Sequence, residues 1–193
     1  MHLIRFSLLT ARHPICYTRN MTLPSLKQIA YLTLSDANML QKKVVNPYQL
    51  LEQMGLDWKI SNNGSSRHLG AVCNLKDGIV LKSFYDASTA TRTFAMATMI
   101  AVTLIQNVEE TVKTDYCLML PVEKEGDNDL WVHARELATI LLCYAFTPRE
   151  LKMLKAEGLQ LEKNISKIAI KRGMPTRYMI RRIALEMAVV SPL

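Results

Sequence analysis

The sequence contains few of the residues that interrupt or cross-link a chain. Glycine and proline number only seven each among 193 residues, and no low-complexity segment occurs, which argues against wholesale disorder. The four cysteines (Cys16, Cys73, Cys117 and Cys143) lie far apart, without a C-x-x-C pair. Such spacing is typical of reduced, mostly buried thiols in a cytosolic protein and not of a disulfide framework.

Long apolar runs are also missing. The N-terminal run at 6–9 is cut off by Arg12 and His13, and the run at 94–108 is interrupted by Thr and Gln. Both are shorter than the roughly 20 residues of a membrane helix, and the first is too short for a signal peptide. We therefore expect a cytoplasmic protein without membrane contact. Residues 1–20 are expected to form a loose tail, or else a docked strand, and Met21 is a plausible true start.

Positive charge is abundant and unevenly placed. The chain has a net charge of +7 and is 49% hydrophobic, enough for one core or a core with a small appended module. Between 149 and 193, ten Lys and Arg stand against four Glu, a balance of +6. Residues 1–148 hold the other fourteen basic and thirteen acidic residues, a balance of +1. A surplus of this kind favours nucleic acid, an anionic surface or an acidic partner, acting at the C-terminal end.

Alternating apolar patterns predict a small sheet. The runs at 56–60, 69–75 and 79–84 alternate like short strands, and the last two flank Asp77-Gly78, a strong hairpin signal. The segment at 121–129 (PVEKEGDND) is the clearest loop.

Helical patterns occupy most of the remaining chain. The all-round apolar stretch at 88–112 predicts a buried helix that Ser88 or Thr89 can cap. The other predicted helices lie at 25–43, 47–54, 130–146, 148–157, 161–172 and 176–189. The predicted class is α+β, with a small antiparallel sheet packed on buried helices and a helical C-terminal segment.

Four segments, in order, resemble the ImmA/IrrE family of metallopeptidases. They are the helix VNPYQLLEQMGL at 45–56, the strand GIVLKSF at 78–84, the lead-in RTFAMA at 92–97 and the helix ARELATILL at 134–142. The resemblance covers about 27–186 and implies a zincin-like peptidase scaffold. It divides the chain into a tail (1–20), a peptidase-fold domain (21–148) and a basic helical segment (149–193).

The resemblance breaks at the zinc site. The family continues its lead-in with H-E-x-x-H, in which two histidines bind zinc and the glutamate serves as general base. The corresponding residues here are Thr98, Met99, Ile100, Ala101 and Val102, and the third ligand position falls on Trp131. The resemblance therefore implies a degenerate member with no catalytic residues, no metal site and no cofactor.

One other pair of residues deserves comparison with a metal site. His133 and Glu136 stand at i, i+3 and could share a metal on a helix, but they lack a third ligand. An isolated pair of this type is commonly a surface pair. A peptidase with unorthodox chemistry would also need a nucleophile and base that the sequence does not offer.

The segment at 165–185 resembles a helix-turn-helix. Ala169, Gly173 and Met179 occupy the positions of a small crossing residue, a turn glycine and an apolar anchor. In the second helix, Thr176 can cap the start, and Ile180, Ile183 and Met187 are expected to form the apolar stripe. The residues predicted to contact nucleic acid or a partner are Lys171, Arg172, Arg177, Tyr178, Arg181 and Arg182.

Active members of the family cleave helix-turn-helix repressors in bacteria and mobile elements. A member without zinc ligands can retain the repressor-binding surface, which predicts an antirepressor that sequesters a repressor-like protein in a bacterial or phage-infected cell. The alternative is a DNA-binding regulator that acts through the C-terminal helices. A second alternative is a metallopeptidase with an unorthodox site.

Overall fold

The computed structural model describes residues 21–61, 68–75, 78–84, 88–106, 116–121 and 129–190. The helices in this part of the chain are α1 (Leu23–Asp36), α2 (Pro47–Gln53), α3 (Thr89–Gln106), α4 (Asp129–Leu142), α5 (Pro148–Met153), α6 (Gly158–Lys171) and α7 (Thr176–Val190). The strands are β1 (Asp57–Ser61), β2 (His68–Leu75), β3 (Gly78–Phe84) and β4 (Tyr116–Pro121). The predicted tail at 1–20 and residues 122–128 of the loop predicted at 121–129 lie outside the described residues, while Pro121 ends β4 and Asp129 begins α4.

The strands form one mixed sheet in the order β1-β3-β2-β4. The hairpin strands β2 and β3 are antiparallel, with Cys73 opposite Val80, as Asp77-Gly78 predicts. Strand β1 runs parallel to β3, with Asp57 opposite Val80. The predicted combination of helices and a small sheet is therefore met in part, and its purely antiparallel arrangement is wrong. Strand β4, which pairs with β2 at one edge, is not among the predicted strands.

Helix α3 forms the centre of the core, as its apolar composition predicts. Ser88 caps it, because the Ser88 Oγ accepts a hydrogen bond from the Thr91 N–H at 3.2 Å. The helix packs against α4 on one side and against β2 and β3 on another. Its side chains from Phe94 to Val102 are all buried. A helix enclosed on several sides has no solvent face to keep polar.

Helix α1 ends earlier than its apolar stripe predicts. Asn38 adopts a left-handed backbone conformation with φ of +54°. The N–H of Met39 then donates to the carbonyl of Leu34, and the N–H of Asn38 donates to that of Ser35. This Schellman arrangement satisfies the last carbonyls of the helix and stops it at Asp36 instead of 43.

Two buried arginines join the C-terminal helices to the end of α4. The Arg182 guanidinium donates to the carbonyls of Cys143 and Tyr144, each at 2.9 Å. Arg172 donates to the carbonyl of Ala145 at 3.1 Å and forms a buried ion pair with Glu150. The last carbonyls of a helix have no partner within it, so these side chains supply the missing donors.

Glu150 also closes a capping box at the start of α5. The Glu150 N–H donates to the Thr147 Oγ1, and the Thr147 N–H donates to the Glu150 carboxylate. Burial alone raises the pKa of Glu150, but hydrogen bonds from Arg172, Thr147 and Lys171 outweigh that effect and lower it from 4.5 to about 2. The carboxylate is therefore held ionised inside the structure.

Among the described residues, no helix is both long and apolar enough to span a bilayer.

Candidate functional site

The positions that the resemblance assigns to the zinc site lie in the core. Thr98, Met99 and Val102 of α3 and Trp131 of α4 are each at most 6% exposed, and the two helices pack against each other. The Thr98 hydroxyl donates to the carbonyl of Phe94 at 2.9 Å, one turn earlier in α3. Its polar group is thus satisfied within the helix.

These residues do not fit a zinc ion. Methionine, valine and tryptophan supply none of the imidazole, thiolate or carboxylate ligands that bind zinc, and the threonine hydroxyl is already engaged. Within the described ranges, no group of three His, Cys, Asp or Glu side chains could hold a metal. His133 and Glu136 accordingly meet no third ligand there.

An open cleft of about 340 Å³ lies between α3 and the start of α7. We call it the α3–α7 cleft. Its described lining residues come from α3, β4, α4 and the α7 start: Thr91, Phe94, Ala95, Thr98, Leu120, Arg135, Pro175, Thr176, Arg177 and Tyr178. They include two arginines and no carboxylate, so their formal charge is +2.

An aromatic stack fixes the wall of the cleft. The rings of Phe94 and Tyr178 lie 4.0 Å apart between centroids, with an interplanar angle of 22°. The guanidinium carbon of Arg177 lies 4.9 Å from the Tyr178 centroid, on a ring that is itself 3% exposed. Stacking and cation–π contacts of this kind stabilise the packing of α7 against α3.

A second cleft of about 200 Å³ adjoins the first. Arg135 and Tyr178 line both clefts, so they lie between them. The other described residues of the second cleft are Glu136, Thr139, Arg181, Ala184 and Leu185. The guanidinium carbon of Arg181 lies 5.7 Å from the Tyr178 centroid. Three arginines therefore surround this region, one of them, Arg135, only 4% exposed.

Three of the six predicted contact residues are buried. Arg172 and Arg182 are 2% and 1% exposed, so they do not form an exposed contact surface, and Tyr178, which is 3% exposed, contributes only to the walls of the two clefts. The arginines bind the end of α4, and the tyrosine stacks on Phe94. The predicted apolar stripe of α7 is wrong at Ile180, which is 53% exposed.

The remaining predicted contact residues, Lys171, Arg177 and Arg181, are exposed. Lys171 also pairs with Glu150 at 3.1 Å. Of the ten basic residues after 148, eight are exposed, while only two of the four glutamates are. The surplus of +6 thus lies on the surface, because the buried and half-buried charges cancel.

The turn of the predicted helix-turn-helix is tightly packed. Ala169 and Met179 are fully buried, and Gly173 has a φ of +67°. A Cβ atom at Gly173 would lie 2.6 Å from the Thr93 Cγ2 of α3. The start of α7 therefore lies against α3 and opens into the α3–α7 cleft.

Replacing Gly173 with alanine is expected to lower the free energy of unfolding by more than the same change at Gly55. Both glycines have φ near +66°, which costs about 1–3 kcal/mol for a side chain, but a Cβ at Gly55 meets nothing within 4 Å. Urea denaturation of the two variants measures the difference. Thr93→Ser, which removes the colliding methyl, should recover part of the loss in G173A; equal losses at both glycines would contradict this packing.

Comparison with protein-family models, with curated protein sequences and with solved structures gave no match. Function is therefore inferred from the residues of this chain.

Proposed function

We propose that this chain is a non-catalytic regulatory protein of ImmA/IrrE type that binds a repressor-type transcription regulator in the bacterial cytoplasm and sequesters it. The observation that carries the proposal is the α3–α7 cleft, which stays open beside Thr98 although side chains packed in the core replace the zinc ligands. The described lining residues include no Asp, Glu, His or Cys, which suits a cleft that holds a protein segment and does not cut it.

The packing of the first turn of α7 against α3 favours this function over the recognition of DNA bases. A recognition helix inserts its N-terminal residues into the major groove, which is about 12 Å wide. Here the first turn of α7 lines the cleft, with Tyr178 stacked on Phe94 and Gly173 close to Thr93. Those residues would have to leave α3 before the helix could enter a groove.

Co-purification tests the proposal. A tagged chain expressed in a bacterial host that carries mobile elements is expected to recover a helix-turn-helix regulator. Thr91→Trp should fill the mouth of the cleft and abolish the recovery, because Thr91 is a partly exposed lining residue. Lys155→Trp, on an exposed site outside the cleft, is the matched control. Recovery of no regulator, or equal recovery with both variants, would contradict the proposal.

A second candidate is direct DNA binding through the basic surface of the C-terminal helices. It is favoured by the eight exposed cations after 148, which include Lys163, Lys167 and Lys171 at four-residue spacing along α6. Contact of this kind would be with phosphates and strongly dependent on salt. If this function is correct, charge reversal at Lys163 and Lys167 should abolish the gel shift of a DNA probe. If the chain instead sequesters a regulator, the same variant should capture that regulator unchanged.

A further inference from the structure

We propose that the solvent side of α6 binds the anionic surface of a lipid bilayer, in a contact separate from the α3–α7 cleft. We call this side the α6 face, and it consists of Leu159, Lys163, Lys167 and Ile170. These residues follow one another at spacings of four, four and three, which places them on one side of a helix. Lys171 is left out of the face because it pairs with Glu150.

The two lysines of the α6 face supply positive charge without a partner in α6. Both are exposed, and within the described residues neither forms an ion pair or a hydrogen bond. The positions three and four residues away from each lysine hold no Asp or Glu. Glu162, the one acidic residue in the sequence of α6, is turned about 100° away from Lys163 around the helix axis. The charge of the face therefore complements an anionic surface.

The α6 face also exposes two large apolar side chains. Leu159 and Ile170 are 75% and 73% exposed, more than any other large apolar side chain that the structure describes. They stand about 16 Å apart along the helix, with the lysines between them. At a bilayer surface, aliphatic side chains enter the boundary of the acyl region while lysine ammonium groups stay among the headgroups. Nucleic acid phosphates would also attract the lysines but offer no apolar surface, so the apolar pair favours lipid.

The position of α6 leaves this face convex and accessible. The helix packs on α5 and α7, and Asn164, Ile168 and Ala169 are buried on its other side. Neither of the two clefts is lined by an α6 residue. A flat bilayer can touch the whole of such a ridge, whereas a captured peptide needs a concave surface. Contact of this kind is peripheral and needs no long apolar run, so a chain in the cytoplasm can make it.

Co-sedimentation with lipid vesicles tests the need for charge. The wild-type chain is expected to bind vesicles of equal parts phosphatidylglycerol and phosphatidylcholine at least about 10-fold more tightly than vesicles of phosphatidylcholine alone. Lys163→Gln and Lys167→Gln should each weaken binding to the anionic vesicles by about 5-fold. Lys43→Gln removes the same charge at an exposed position outside α6 and should weaken binding by less than about 2-fold.

The same assay tests the need for the apolar side chains. Leu159→Ser and Ile170→Ser should each weaken binding to the anionic vesicles by about 5-fold. Leu32→Ser, at a position of α1 that is 46% exposed, is the matched control and should weaken binding by less than about 2-fold. Since all three side chains are exposed, the variants should fold as the wild type does. In Leu159→Trp, the fluorescence emission should shift to the blue with anionic vesicles and not with neutral ones.

The contrary results are equally specific. Equal binding to both kinds of vesicle would overturn the proposal, as would unchanged binding in L159S and I170S. Equal weakening by K43Q and the α6 lysine variants would mean diffuse attraction by the net charge of +7 and would overturn it too. A DNA duplex that binds more tightly than the anionic vesicles, and that L159S binds as the wild type does, would assign the face to nucleic acid instead. Thr91→Trp, which fills the cleft, should leave vesicle binding unchanged, and a loss in that variant would overturn the assignment to α6.

Discussion

Replacing Glu150 with glutamine is expected to lower the free energy of unfolding by about 3–5 kcal/mol. The change keeps the shape of the side chain but removes the negative charge that compensates the buried Arg172 guanidinium. A buried charge that loses its partner keeps its full desolvation cost. The neighbouring contact with Lys171 weakens as well, although that side chain is half exposed.

Urea denaturation measures this loss against Glu157→Gln. Glu157 is exposed and makes no side-chain cap bond with α6, so its substitution should change the free energy by less than about 0.5 kcal/mol. Adding Arg172→Met to E150Q should recover part of the stability, since the uncompensated charge is then gone. Similar losses in E150Q and E157Q would show that the pair does not hold the fold together.

The same pair should make stability depend on pH in the acid range. The pKa of Glu150 is depressed from 4.5 to about 2, so its contribution is fully present above about pH 4.5. It is lost progressively as the pH falls toward 2, and amounts to about 3 kcal/mol. E150Q should lack this part of the acid dependence. Identical acid profiles in the two proteins would assign the dependence to other carboxylates.

Replacing Arg182 with methionine is expected to cost about 2–4 kcal/mol. The long apolar side chain fills much of the same space, but the carbonyls of Cys143 and Tyr144 lose their donors at the end of α4. Glu186 also loses its closest partner, the Arg182 Nη1 at 2.7 Å. Burial raises the pKa of Glu186, and the contacts with Arg182 and Lys27 more than offset that effect and lower it, so its pKa should rise in the variant.

Arg149 is the matched control. It is exposed, so Arg149→Met should change the free energy of unfolding by less than about 0.5 kcal/mol. Thermal and urea denaturation of both variants measure the contrast. Equal losses would mean that the contact between α7 and the end of α4 contributes little to stability.

The sequence predicted the starts of the described helices well, because several of them carry local signals. Pro47 and Gly55 bound α2, and Ser88 caps α3, within a few residues of where the chain turns. The end of α1 was placed too late because Asn38, unlike glycine, is an infrequent left-handed cap. Local signals therefore locate the starts of these helices better than their ends, because α1, α4 and α5 each end four or more residues before the predicted position.

The pairing of strands that are distant in the sequence was harder to predict than the helices. The parallel contact of β1 with β3 joins strands separated by the whole of β2, and no local pattern encodes it. Strand β4 was missed although it forms the other edge of the sheet and contributes Leu120 to the cleft. Pairing of this kind depends on the complete sheet and its helices.

The candidate site was only partly predictable. Arginine side chains are usually exposed, but two of the arginines predicted to form a contact surface are buried. The charge of Arg172 and Arg182 alone predicts a contact surface. Both side chains are instead buried, because they donate hydrogen bonds to carbonyls at the end of α4. Arg135 was missed as a site residue, because its charged neighbour Glu136 gives no sign that the arginine is buried. Arg177 and Arg181 remain predicted contact residues.

Native mass spectrometry of the complex recovered from a host tests the central claim most directly. We predict a mass equal to that of the chain plus an intact regulator, without zinc, that persists on incubation. A complex that contains zinc in stoichiometric amount, or a regulator cut into fragments, would contradict the claim that this chain acts by holding its partner.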